Sequence, residues 1–146
     1  MRISPALLLM TAMVPGATIQ ADEAPLPGGL YEITSRLELP HVERWAIDKK
    51  TQVCLAPARG PIPLPVLSDN SPFLHCAATA LVFESGRLEY DIACPGRGDA
   101  RAHAAYDITE GRFTGRIAMV LGAKNMTMTE VQQAVRMGDC ATTAQR

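Results

Sequence analysis

The chain has no run of basic residues, no closely spaced cysteine pair and no apolar stretch long enough to span a bilayer as a helix. Its 14 lysines and arginines are scattered against 15 acidic residues, a formal net charge of −1. Neither a nucleic-acid footprint nor a cationic membrane patch is therefore expected. Catalytic signatures are missing too: no GxSxG, phosphate-binding loop, HExxH or GxGxxG. His41, His75 and His103 stand isolated, and the carboxylates fall singly on polar strand faces, where solvated charge is the ordinary role. Glu89 and Asp91 share one strand face with nothing to suggest a cleft around them. A non-catalytic protein without a cofactor is expected, and an enzyme reading would need a site of unrecognised type.

A length of 146 residues suits one compact domain. The opening MRISPALLLMTAMVPGATIQADEAP sets one cation, Arg2, before an apolar run from Ala6 to Val14 and a small-residue region ending at Ala21. That is the layout of a secretory signal peptide, so residues 1–21 are expected to be removed and 22–146 to form a single exported domain with a net charge near −2. Cys54, Cys76, Cys94 and Cys140 all lie beyond that segment, and an even count in an exported chain predicts two disulfides. No two of them are close enough for a CxxC zinc site. Four cysteines allow three pairings. The expected one is Cys54–Cys76, closing a proline-rich segment, with Cys94–Cys140 anchoring the last strand.

Alternation dominates the rest of the chain. In LYEITSRLELP, Tyr31, Ile33, Leu37 and Leu39 share one parity and polar residues the other, which describes a strand with one wet face. RWAIDKKTQVCL repeats the pattern through Trp45, Ile47, Thr51, Val53 and Leu55. APARGPIPLPVLSDNSP holds five prolines between Pro57 and Pro72 and reads as an extended loop. A hairpin turning at ESGR comes next, with Leu88, Tyr90, Ile92 and Cys94 on one face of its second strand. Two further strands meet at Glu110-Gly111, and Gly115 marks a bulge or a close approach. TEVQQAVRM fits a strand better than a short helix. Seven or eight short strands with frequent turns predict an all-β antiparallel meander, either a sandwich or a curved, partly closed barrel.

The candidate ligand lining is Trp45, Tyr90, Phe113, Met119, Met126 and Met128, with Ile62–Leu67 as a lid. Core packing is the plainer role for each of them taken singly. A copper site of Met126, Met128, His75 and His103 is the alternative from soft-ligand chemistry. Arg97-Gly98-Asp99 reads as a polar turn rather than an adhesion motif, and Asn125 in NMT is discounted as a glycosylation site because the leader looks bacterial.

Four motifs in order, PGGLYEITSRLEL, QVCLAP with a later HCAATAL, DIACPG and the closing MGDC, resemble the bacterial domain-of-unknown-function family 3617 of small exported proteins. The likeness runs from about Pro27 to Cys140; the Arg-Gly-Asp run departs from it. The resemblance implies an exported, disulfide-stabilised domain in a periplasmic or secreted setting, and brings no activity, ligand or catalytic residue. The expected function is a non-catalytic domain that binds a small apolar ligand or docks an envelope protein, without stable membrane insertion.

Overall fold

A computed structural model describes residues 26–69, 71–96, 100–122 and 126–141. The expected leader 1–21, the Arg97–Asp99 turn and Asn125 lie outside the described residues. Seven strands form one antiparallel sheet: β1 Gly29–Glu38, β2 Lys49–Leu55, β3 Ala77–Glu84, β4 Arg87–Ala93, β5 Arg101–Thr109, β6 Arg112–Val120 and β7 Thr127–Gly138. Their spatial order is β2-β1-β7-β6-β5-β4-β3. From β3 onward each strand pairs with the next, and β7 then returns to β1. The sheet is not closed into a barrel: β2 and β3 are its edges. Both edges resist further pairing, β2 with Lys49 and Lys50, β3 with a register break between Thr79 and Val82 where Ala80 takes φ 52°.

Alternation makes one face of the sheet the core. Tyr31, Ile33, Leu88, Tyr90, Ile92, Ala104, Tyr106, Phe113, Ile117 and Met119 are all buried there. The face is concave. Tyr31 and Phe113 lie two strands apart, a separation of roughly 9–10 Å between backbones, yet their ring centroids are 6.1 Å apart. Gly115 is a close approach and not a bulge, since its pairing with Tyr106 continues the register on both sides. The Tyr106 ring occupies the space a side chain would need, and a Cβ there would lie 2.7 Å from the Tyr106 Cα.

The second layer is not a sheet. Residues 56–69 and 71–76 cross the concave face and bury Leu64 and Phe73 against it, with Val66 and Leu67 packed at the margin. Prolines prevent this segment from becoming a strand or helix, so its backbone groups need partners from elsewhere.

Two expectations give way. The disulfides are Cys54–Cys140 and Cys76–Cys94, not Cys54–Cys76 and Cys94–Cys140. Strand order decides this. Leu30 of β1 pairs with Cys54 on one side and Gly138 on the other, so the first bridge passes over β1 and joins the last strand to the sheet edge. Ala77 pairs with Ala93, which sets Cys76 and Cys94 opposite each other at the hairpin mouth. The separations of 86 and 18 residues correspond to about 4–5 and about 3 kcal/mol of stabilisation through the unfolded chain. The second correction is that β2 starts at Lys49. Glu43–Trp45 form a 3-10 turn instead, with no buried residue. The ambiguous last segment is a strand, as expected.

Candidate functional site

The concave face carries a polar cluster on β7. Met128, Glu130, Gln132 and Ala134 pair with Met119, Ile117, Gly115 and Phe113 and share their inward parity. Glu130 and Gln132 are therefore buried while Val131 and Val135 face outward, the reverse of a simple hydrophobic pattern. A buried carboxylate is tolerated only with donors around it. Glu130 accepts the backbone N–H groups of Leu67 and Ser68 at 2.8 and 2.9 Å and the Gln132 amide at 2.5 Å. Gln132 also donates to the Pro65 carbonyl at 2.8 Å. On the neighbouring strands the Tyr90 hydroxyl donates to the Leu64 carbonyl and accepts the Leu64 N–H, at 2.8 and 3.0 Å. Three sheet side chains thus hold the backbone of 64–68. Burial pushes the Tyr90 hydroxyl up to about 12 and raises Tyr106 well above the ordinary phenol value. The Gln132 Oε1 is buried without a hydrogen-bond partner among the described residues, and the Tyr106 hydroxyl is buried beside that of Tyr90.

The six expected lining residues do not converge. Tyr90, Phe113 and Met119 are at most 1% exposed and form the core itself, Phe113 and Tyr90 each contacting the Tyr106 ring. Met128 is half-buried beside Met119, Met126 is exposed in the β6–β7 connection, and Trp45 stands in solvent on the 3-10 turn. The expected lid, Ile62–Leu67, does lie over the concave face, but its own side chains fill the space beneath it. The copper set is likewise divided. His103 points outward from β5 while Met128 is on the inward parity of β7, and His75 is exposed in the turn before β3. Among the described residues no group of three or more His, Cys, Asp or Glu side chains is placed to hold a metal ion.

Sequence reasoning did not single out Glu130 and Gln132. The signal was available: in TEVQQAV read as a strand, either the valines or the Glu-Gln pair must face inward, and pairing with Phe113 and Ile117 selects the latter.

Shallow grooves on the outer face include two of about 540 and 450 Å³. The larger runs over Ala93, Ala118 and Val120 and contains a His103–Asp91 contact, Nδ1 to Oδ1 at 2.8 Å. Both partners are more than half exposed, so water screens the pair. All four cysteines are in disulfides and none is free to act as a nucleophile.

The β1–β2 connection is the other distinctive surface. Residues 39–45 and 47–50 are exposed, including Leu39, Val42, Trp45 (70%) and Ile47 (84%). The Arg44 guanidinium lies 5.3 Å from the Trp45 ring centroid. No family model matches the chain, and neither the curated proteins nor the solved structures provide a match.

Proposed function

We propose that this protein is an exported, non-catalytic accessory domain of a bacterial envelope, one that docks onto another envelope component rather than enclosing a small ligand. The observation carrying this reading is that the concave face, where an apolar ligand would sit, is occupied by the chain's own segment 64–68, held by Tyr90, Gln132 and Glu130. A ligand there would have to break those bonds and expose Leu64 and Phe73. Export is supported by two disulfides spanning a small domain, by the leader-like opening and by the motif resemblance to family 3617.

Native mass spectrometry of the protein isolated from an envelope fraction, without reductant or chelator, tests this. The expected mass is four hydrogens below the reduced chain, two for each disulfide, with nothing else retained. A lipid or other apolar molecule retained at one per chain would replace docking with ligand binding. Retained copper, lost on Met126→Leu/Met128→Leu substitution, would instead restore the metal reading.

A further inference from the structure

We infer that the β1–β2 connection, residues 39–47, is a lipid-docking tip: Leu39, Val42, Trp45 and Ile47 enter the interfacial region of a phospholipid surface reversibly. This rests on the docking reading and names its counterpart. Among the described residues, four of the nine exposed large apolar side chains fall within these nine residues. They stand beyond the strand ends, where β1 stops at Glu38 and β2 begins at Lys49. Met126, also exposed, adds an apolar side chain from the β6–β7 connection at the same end of the sheet, two strands along.

Three features favour lipid over a protein or a second copy. First, the tip meets much of its own backbone hydrogen-bonding need. Val42 donates to the Leu39 carbonyl, Trp45 to Val42, Ala46 to Glu43, and the His41 N–H to the Glu43 carboxylate, while Pro40 has no N–H to satisfy. Leaving water is costly for unpaired backbone donors, so a tip that pairs them internally is prepared for an apolar phase. Second, the four side chains offer roughly 400–500 Å², short of the ~800 Å² per partner that a stable protein interface or dimer buries. Third, tryptophan and arginine side by side suit the interface, with the ring at headgroup depth and the guanidinium near phosphate.

The charges also define what kind of surface. Lys49 pairs with Asp69, Lys50 with Glu32 and Arg36 with Glu38, so the base of the tip carries little net field. Docking is therefore driven by apolar contact and requires neither anionic lipid nor low salt.

Trp45 is the single tryptophan of the chain and reports on the tip alone. The protein isolated from an envelope fraction is titrated with phosphatidylcholine vesicles and with vesicles containing phosphatidylglycerol, with tryptophan emission and co-sedimentation as the readouts. The expected result is a blue shift with both compositions, persistence at high salt, and at least about tenfold weaker partitioning of an Ile47→Ser variant. Because Ile47 is exposed, that variant should melt with the parent. An unshifted emission would overturn the lipid assignment while leaving docking to a protein intact. Co-sedimentation unaffected by Ile47→Ser would overturn it too, assigning binding to another part of the chain. Binding confined to anionic vesicles and abolished by salt would replace apolar docking with charge attraction.

Discussion

Two long connections leave β2, one at each end, and they behave oppositely. Residues 39–48 and 56–76 both contain proline and large aliphatic side chains, yet the first stands in solvent and the second is part of the core. Hydrophobic content does not separate them. The treatment of the backbone does. The 56–76 segment cannot pair its own groups around Pro61, Pro63 and Pro65, and the sheet supplies five side-chain hydrogen bonds to residues 64–68. The tip closes several of its own bonds in a single 3-10 turn and, among the described residues, draws no side-chain hydrogen bond from the sheet. An apolar segment is buried when a neighbouring surface can take both its side chains and its amides.

Phe73→Ala tests the contrast most severely. It removes a 1% exposed ring from beneath the covering segment and should cost about 3–5 kcal/mol in urea unfolding. A loss below about 1 kcal/mol would mean the cover is not core.

Next comes alkaline pH. Burial raises the Tyr90 hydroxyl to about 12, so below the unfolded value near 10 the phenol is neutral in both states and nothing is lost. Between pH 10 and about 12 the unfolded chain releases a proton that the folded chain keeps, and stability falls by up to about 2–3 kcal/mol. Tyr106 moves in the same direction and steepens the decline. Unfolding free energy that stays level from pH 9 to 12 would refute this. Tyr90→Phe should flatten the decline while loosening Leu64.

Glu130→Gln ranks third. It exchanges a carboxylate that accepts two backbone N–H groups for a neutral amide, at an expected cost of about 2 kcal/mol. Amide exchange at Leu67 and Ser68 should accelerate while the tip amides are unchanged; equal acceleration in both would show that the two connections are coupled.

The smallest effect belongs to the tip. Trp45→Ala with Ile47→Ala should shift stability by less than about 0.5 kcal/mol, since neither side chain is buried. A larger loss by thermal melting would place the tip in the folded body after all.

Much of the sheet could be read from alternation alone. Leu88, Tyr90 and Ile92, and then Phe113, Ile117 and Met119, face the core as their parity predicts. Alternation failed at Trp45 and Ile47, where an apolar parity continued past the strand end because nothing in a periodic pattern distinguishes a side chain facing a core from one facing solvent. It was silent at Glu130 and Gln132, whose inward orientation is set by the register with β6. One of the two disulfides was legible in principle. Cys76 and Cys94 flank a hairpin whose Ser85-Gly86 turn fixes the register, and antiparallel pairing from that turn brings the two cysteines to within one position of each other; the register break between Thr79 and Val82 then sets them opposite.

Local pattern specified an all-β chain with two disulfides, the positions of most strands and the inward set on each, because side-chain period and turn chemistry act between near neighbours. The assembled sheet settled that β1 inserts between β2 and β7, and hence that Cys54 meets Cys140. Assembly also made two polar residues of β7 the clasp for a proline-rich cover, and left one apolar connection in solvent while the other closed the core. Those outcomes depend on which surfaces meet across 60 or more residues, as the Leu67–Glu130 bond does at a separation of 63, and the alternation within any one strand carries no information about such meetings.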